Sequence, residues 1–157
     1  MKQTVFLIIF LSSLLFLSSC LEREDFPLEP RIELISFTPY QDTDSATLIL
    51  GFTDGDGDIG LRSDEENPPY NMFMQYHEKQ NGVFVEVIPT IPFNYRLPII
   101  NEAGKPRPLQ GEIEIGVSFF YDLTSPYDTI KYSMYIVDRA GNMSNTVETD
   151  EIIVNKD

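Results

Sequence analysis

The 157-residue chain has one cysteine, one histidine and no tryptophan, and its 11 lysines and arginines face 25 aspartates and glutamates. Each shortage excludes something. A lone cysteine, Cys20, forms no internal disulfide framework and builds no thiolate metal site. The lone histidine, His77, lies beside Glu78 in an alternating stretch, with neither a His-Glu-x-x-His pair nor a Gly-x-Ser-x-Gly elbow to support catalysis. A formal charge of −14 repels nucleic acid and attracts cations, so nucleic-acid binding is set aside. The absence of tryptophan weakens any sugar-stacking platform, although eight tyrosines substitute in part. The apolar run Val5 to Leu17 falls short of the ~20 residues that cross a bilayer comfortably as a helix.

That short run is informative in another way. Lys2 precedes it, and Leu17-Ser18-Ser19-Cys20 follows, the order of a secretory leader ending in small residues. The ending resembles the bacterial lipobox, an aliphatic residue and two small ones before cysteine. The resemblance implies cleavage before Cys20, a diacylglycerol thioether on its sulfur and acylation of the new amino group. At about 0.8 kcal/mol per buried methylene, two or three acyl chains anchor stably where one does not. Leu21-Glu22-Arg23-Glu24-Asp25 and the prolines at 27 and 30 read as a hydrated tether. This acidic cluster also resembles the export signal of Bacteroidota-type surface lipoproteins. The expected organisation is therefore a signal peptide over 1–19, a lipidated cysteine and tether over 20–30, and one domain over 31–157. The expected location is the outer membrane, with the cell surface preferred over the periplasmic face.

Beyond the tether the hydrophobic period is two almost everywhere. Ile32, Leu34 and Ser36 alternate with Glu33, Ile35 and Phe37; Ala46, Leu48, Leu50 and Phe52 alternate with Thr47, Ile49, Gly51 and Thr53. Tyr70 to Lys79 reads as a third strand, and Gln80-Asn81-Gly82 signals a hairpin into Val83 to Ile88. Ile113, Ile115, Val117, Phe119 and Tyr121 line one face of a further strand. Ile130, Tyr132, Met134 and Ile136 line the next, and Thr146 to Val154 closes the domain. No helix of ordinary length is indicated after the leader. About seven short strands at this spacing predict an all-β fold, a single immunoglobulin-like antiparallel β-sandwich.

Asp128-Thr129-Ile130-Lys131-Tyr132-Ser133-Met134 resembles the tyrosine-corner segment of immunoglobulin-like domains, with Met134 where antibody domains carry a cysteine. Asp138, Gly141, Asn142 and Ser144 continue the rhythm of a fibronectin type III-like F–G hairpin. The resemblance implies that the Tyr132 hydroxyl bonds to nearby backbone, a structural role.

Between the second and third strands lies Gly51-Phe-Thr-Asp-Gly-Asp-Gly-Asp-Ile-Gly-Leu-Arg-Ser-Asp-Glu-Glu66. Aspartates at alternate positions let a tightly curling backbone aim successive carboxylates inward, and hard cations such as calcium take six to eight oxygen ligands. Gly55, Gly57 and Gly60 permit the positive φ angles such curling demands. Against the EF-hand loop, Asp54, Asp56 and Asp58 fall at ligand positions one, three and five, and Glu65 falls at the twelfth. Ile59 occupies the turn-glycine slot and the flanks are strands, so the likeness extends to ligand spacing and not to a helix-loop-helix. In immunoglobulin-like order the F–G turn lies at the same end, so Asp138 or Asn142 could complete the shell, Asn142 being the better candidate for shaping the turn. A solvated acidic turn is the plain alternative.

Pro89 to Gln110 contains five prolines and suits no central strand. Either it covers a sheet edge, or it presents Tyr95 and Arg96 to a partner. Taken together, the residues predict a non-catalytic, membrane-anchored lipoprotein. A calcium-stabilised sandwich would serve binding, adhesion or an accessory role toward a protein or glycan. A small calcium-assisted hydrolase using the acidic loop, and a plain spacer, are the alternatives.

Overall fold

The computed structural model describes residues 25–64, 67–101, 105–118 and 120–156. The alternating segments become strands β1 (Arg31–Tyr40), β2 (Ser45–Asp54), β3 (Met72–Gln80), β4 (Val83–Glu86), β5 (Leu109–Ser118), β6 (Thr129–Ile136), β7 (Val147–Glu148) and β8 (Ile152–Ile153). One three-residue 3₁₀ turn, Gln41–Thr43, is the helical element among the described residues. The strands form two antiparallel sheets, ordered β1-β2-β5 and β4-β3-β6-β7, with β8 also pairing β6. These pack face to face as a sandwich, as the period-two patterning predicts.

The core is what the inward positions supply. Leu48 and Leu50 of β2, Met72 of β3, and Ile130, Tyr132, Met134 and Ile136 of β6 are all fully buried. Five aromatic rings tie the layers together: Tyr132 lies with its centroid 5.5 Å from Phe37, 5.7 Å from Tyr76 and 5.5 Å from Phe93. Phe37 meets Phe120 edge-on at 6.2 Å. Offset and tilted pairs of this kind add roughly 0.5–1.5 kcal/mol each beyond the area they bury. The Tyr132 hydroxyl donates to the backbone carbonyl of Phe120, so it bonds backbone as its sequence context suggests, but 12 residues upstream and not the few that a tyrosine corner spans.

Three departures from simple alternation have local causes. In β1 the register shifts between Leu34 and Ser36, so Ile35 bulges outward and Phe37, not Ser36, returns to the core. β5 begins earlier than expected, at Leu109, and Tyr121 lies beyond its end; Phe120 and Tyr121 are both buried. The closing strand is split: Thr149 donates its N–H to the Tyr132 carbonyl, 2.9 Å, while its hydroxyl takes the Tyr132 N–H at 3.0 Å. That side-chain substitution slips the pairing by one residue between β7 and β8.

The proline-rich segment covers an edge. β4 pairs β3 only as far as Glu86 opposite His77. Past it, the Val87 N–H bonds the Tyr76 carbonyl, and Tyr95 exchanges backbone bonds with Met72 at 2.9 and 3.0 Å. The strap thus finishes the β3 edge that β4 leaves open.

Candidate metal centre at the loop pole

The inward alternation of Ala46, Leu48, Leu50 and Phe52 carries one residue further and brings Asp54, the last residue of β2, into the interior, where it is 0% exposed. The chain then curls instead of leaving. Gly57 and Gly60 adopt φ of +69° and +96°, the left-handed region that an L side chain enters at a cost. The curl returns Ile59 to the core, fully buried, and its N–H donates to Asp54 Oδ2 at 3.0 Å. This explains why an apolar residue stands where the EF-hand pattern places glycine: Ile59 anchors the loop.

The curl gathers three carboxylates. Asp54, Asp56 and Asp58 each offer an oxygen, all within 4.8 Å of one another. The Oδ1 atoms of all three are buried and have no hydrogen-bond partner. Burial pushes the Asp54 carboxyl above its ordinary range, the Ile59 N–H opposes this, and the Asp56 charge adds to it. Asp58 is pushed up to about 6, first by burial and then by the charges of Asp138, Asp56 and Asp54, with Arg139 opposing. Carboxylates held together away from water destabilise their own charged forms. The arrangement is one that a cation relieves, and the all-oxygen set can hold a metal ion.

Each glycine of the loop also receives another part of the chain. At Gly55 the need is closeness of approach, not φ: its N–H bonds the Pro27 carbonyl at 2.8 Å, and a Cβ there would sit 2.3 Å from the Phe26 carbonyl oxygen. A Cβ on Gly57 would meet the Arg107 carbonyl at 2.4 Å, and one on Gly60 the Pro98 carbonyl at 2.2 Å. The Arg107 N–H donates to the Asp56 carbonyl at 2.9 Å, and the Leu61 N–H donates to the Leu97 carbonyl at 2.9 Å. The tether and the proline-rich strap therefore both pack on the acidic loop.

The turn that follows β6 reaches the same pole as the acidic loop. Arg139 Nη1 donates to the Gly60 carbonyl at 3.0 Å, and Asp138 lies close enough to Asp58 to raise its pKa. Asp138 is 5% exposed, and its carboxylate accepts the Asn142 N–H at 2.7 Å and the Asn142 side-chain amide at 2.8 Å. Asp138 stands at the margin of the three-aspartate focus, and Asn142 shapes the turn. Glu65 and Cys20 lie outside the described residues. Tyr95 is half-buried beside Met72, and Arg96 donates to the carbonyls of Pro68 at 3.0 Å and Arg62 at 2.5 Å. Sequence reading missed Arg139 and Arg107, whose contributions depend on where separate loops land. The glycine spacing was the available signal for Arg107, since glycine marks close backbone approach as well as turning.

His77 is held on the outer face of the second sheet, its Nε2 2.8 Å from Ser133 Oγ. Burial lowers its pKa, and the nearby Lys131 lowers it further. Ser133 is itself buried and its hydroxyl bonds Gln75 Oε1 at 3.0 Å, a cross-strand polar cluster. Comparisons of the chain with protein-family models, curated proteins and solved structures find no match.

Proposed function

We propose that this chain is a lipid-anchored, non-catalytic module of the cell envelope whose loop pole binds calcium. The single observation that carries the calcium reading is the convergence of Asp54, Asp56 and Asp58, with three Oδ1 atoms buried and unpartnered. An all-oxygen set with neither nitrogen nor sulfur selects a hard cation. Magnesium demands near-ideal octahedral geometry and dehydrates reluctantly, whereas calcium accepts irregular cages of six to eight oxygens. The ion stiffens the pole: it offsets the repulsion within the loop on which the tether, the strap and, through Arg139, the turn after β6 are packed. Extracellular calcium modules of this kind bind at about 0.1–1 mM. The lipobox-like Leu17-Ser18-Ser19-Cys20 and the acidic residues behind it support an outer-membrane location facing outward. A rigid pole on a lipid anchor suits binding, adhesion or an accessory role toward a protein or glycan.

The test is thermal. Melting temperature rises with calcium and falls with chelator if the ion favours the folded state. Joint replacement Asp56→Asn and Asp58→Asn removes the response and keeps the fold. A response that survives both changes places the ion elsewhere. For the anchor, Cys20→Ser releases the protein from the membrane fraction, and continued retention discredits the lipobox.

A further inference from the structure

One long sheet edge is left open. β5 runs ten residues, Leu109–Ser118, and pairs β2 along its whole length with an unbroken register. In an antiparallel ladder alternate residues give their backbone groups to one neighbour and the rest point away. β5 is the last strand of its sheet, and among the described residues no backbone bond reaches it from the other side. The remaining edges are dealt with. Asn145 caps β1, its Oδ1 taking the Ile32 N–H and its Nδ2 donating to the Ile32 carbonyl, both at 2.9 Å. β1 also bulges at Ile35 and carries Pro39. β4, β7 and β8 are four residues or fewer, and the strap finishes β3. Short strands, bulges, prolines, lysines and covering loops are how proteins keep edges from pairing. β5 has no proline, no lysine and no bulge.

What β5 does carry is negative charge. Glu112 and Glu114 are exposed on its outer face, and neither has an ion pair or hydrogen bond among the described residues. Arg31, the basic residue of that face, stands two strands away opposite Thr53. These glutamates sort the occupants the edge can take. In a two-fold pairing of β5 with its own copy, directly opposed residues share a face. The registers that engage most of β5 then set Glu112 against Glu114, or Glu114 against itself, in a chain of charge −14. Like charges directly opposite are destabilising, whereas opposite charges stabilise. We infer that the β5 edge receives an extended segment of another protein, added as a fourth strand, with lysine or arginine opposite Glu112 and Glu114, an inference that rests on the binding role proposed above and not on its calcium site.

A groove beside the edge receives the rest of such a segment. It has a volume of about 550 Å³ and is lined by Gly116 and Ser118 of β5, Ile91 and Phe93 of the strap, and Leu123 of the loop after β5. Ile91 is 80% exposed and Leu123 57%. A Cβ on Gly116 would meet nothing within 4 Å, so the backbone there is bare to an incoming strand. Strand addition takes affinity from main-chain bonds and specificity from alternate side chains. An antiparallel guest therefore passes the groove first, with apolar side chains, and the glutamates after, with basic side chains two residues apart.

The experiment titrates the full chain with a labelled synthetic peptide of alternation Val-Thr-Val-Thr-Val-Lys-Val-Lys-Val, read by fluorescence anisotropy. Wild type binds it, more weakly as salt rises. A companion peptide with glutamate in place of lysine binds about tenfold more weakly. Glu112→Lys together with Glu114→Lys exchanges that preference, and melting checks that the fold is kept. N-methylation of alternate peptide residues separates strand addition from charge attraction alone. Methyls on the set facing β5 abolish binding, and methyls on the other set leave it. Equal effects of the two sets, a preference that the double replacement does not move, or a chain that ignores the lysine peptide overturns the assignment. Self-association in sedimentation that the peptide disperses gives the edge to a second copy and overturns it too. Calcium response is read separately by melting, so failure of the peptide leaves the metal reading standing.

Discussion

Asp58→Asn separates the burden of the acidic loop from its use. Asp54, Asp56 and Asp58 hold oxygens within 4.8 Å of one another. Each charged pair at that separation repels by about 0.9 kcal/mol in water and about 3.5 kcal/mol at an effective dielectric near 20. Asparagine at position 58 removes two of the three pairs, along with the repulsion from Asp138. Part of that relief is spent because the remaining carboxylates lose little of their own burial, so a net gain of about 1–2 kcal/mol in the metal-free protein is expected. For a domain of this size, entropy scaling gives roughly 3–4 °C per kcal/mol, so chelated Asp58→Asn melts about 3–8 °C above wild type. Calcium at about 10 mM against a Kd of about 0.1–1 mM adds roughly 1.4–2.7 kcal/mol to wild type, or about 5–10 °C. The variant, missing a ligand, gains little. The two melting curves should therefore converge or exchange order between chelator and calcium in differential scanning calorimetry. If Asp58→Asn melts lower than wild type in chelator, the carboxylates are not in conflict and the reasoning about the site is wrong.

Protonation gives an independent handle. Because Asp58 is pushed up to about 6 from an unfolded value of 3.8, the folded metal-free protein loses stability as pH rises through that window. Calcium must displace the same proton, so its midpoint should tighten from pH 4 to pH 6 and level off above; calorimetry in buffers of different ionisation heat reads the proton release, and a flat profile refutes the shift. Tyr132→Phe leaves the buried Phe120 carbonyl without its donor and should cost about 1–3 kcal/mol in urea unfolding, with an unchanged calcium midpoint because Phe120, whose N–H bonds the Asp44 carbonyl, lies at the opposite end of β2 from Asp54. Gly60→Ala puts a methyl 2.2 Å from the Pro98 carbonyl at φ +96°, so it should destabilise by more than about 1 kcal/mol and speed proteolysis within the strap; a neutral effect would mean that the strap does not need this contact.

How far the site was legible depends on how locally each part is encoded. Alternation in the second strand carries its own phase, so the inward positions Leu48, Leu50 and Phe52 could be read directly, and the aspartate two residues on followed them inside. The bulge at Ile35 was not legible, because nothing in Leu34-Ile35-Ser36 distinguishes a slipped register from a continuous one. Thr149 hid in the same way, since a hydroxyl replacing a ladder bond looks in sequence like any strand threonine. Gly55 was expected to supply a positive φ; its actual task is to let the Phe26 and Pro27 carbonyls approach, and only the packed chain shows what approaches.

The sequence by itself determined the strand pattern, the acidic spacing at Asp54, Asp56 and Asp58 and the charge that draws cations, because each is a matter of residues a few positions apart. It also carries the stretch Leu17-Ser18-Ser19-Cys20, which resembles a lipobox. Tertiary structure alone decided that an oxygen from each of three carboxylates is buried together, that Arg139 reaches Gly60 across the pole, and that the strap packs on the loop through Leu97, Ile99 and Arg107. The physical reason is range: backbone period and turn chemistry act between neighbours, whereas burial and charge convergence depend on which distant segments the two sheets bring to one end.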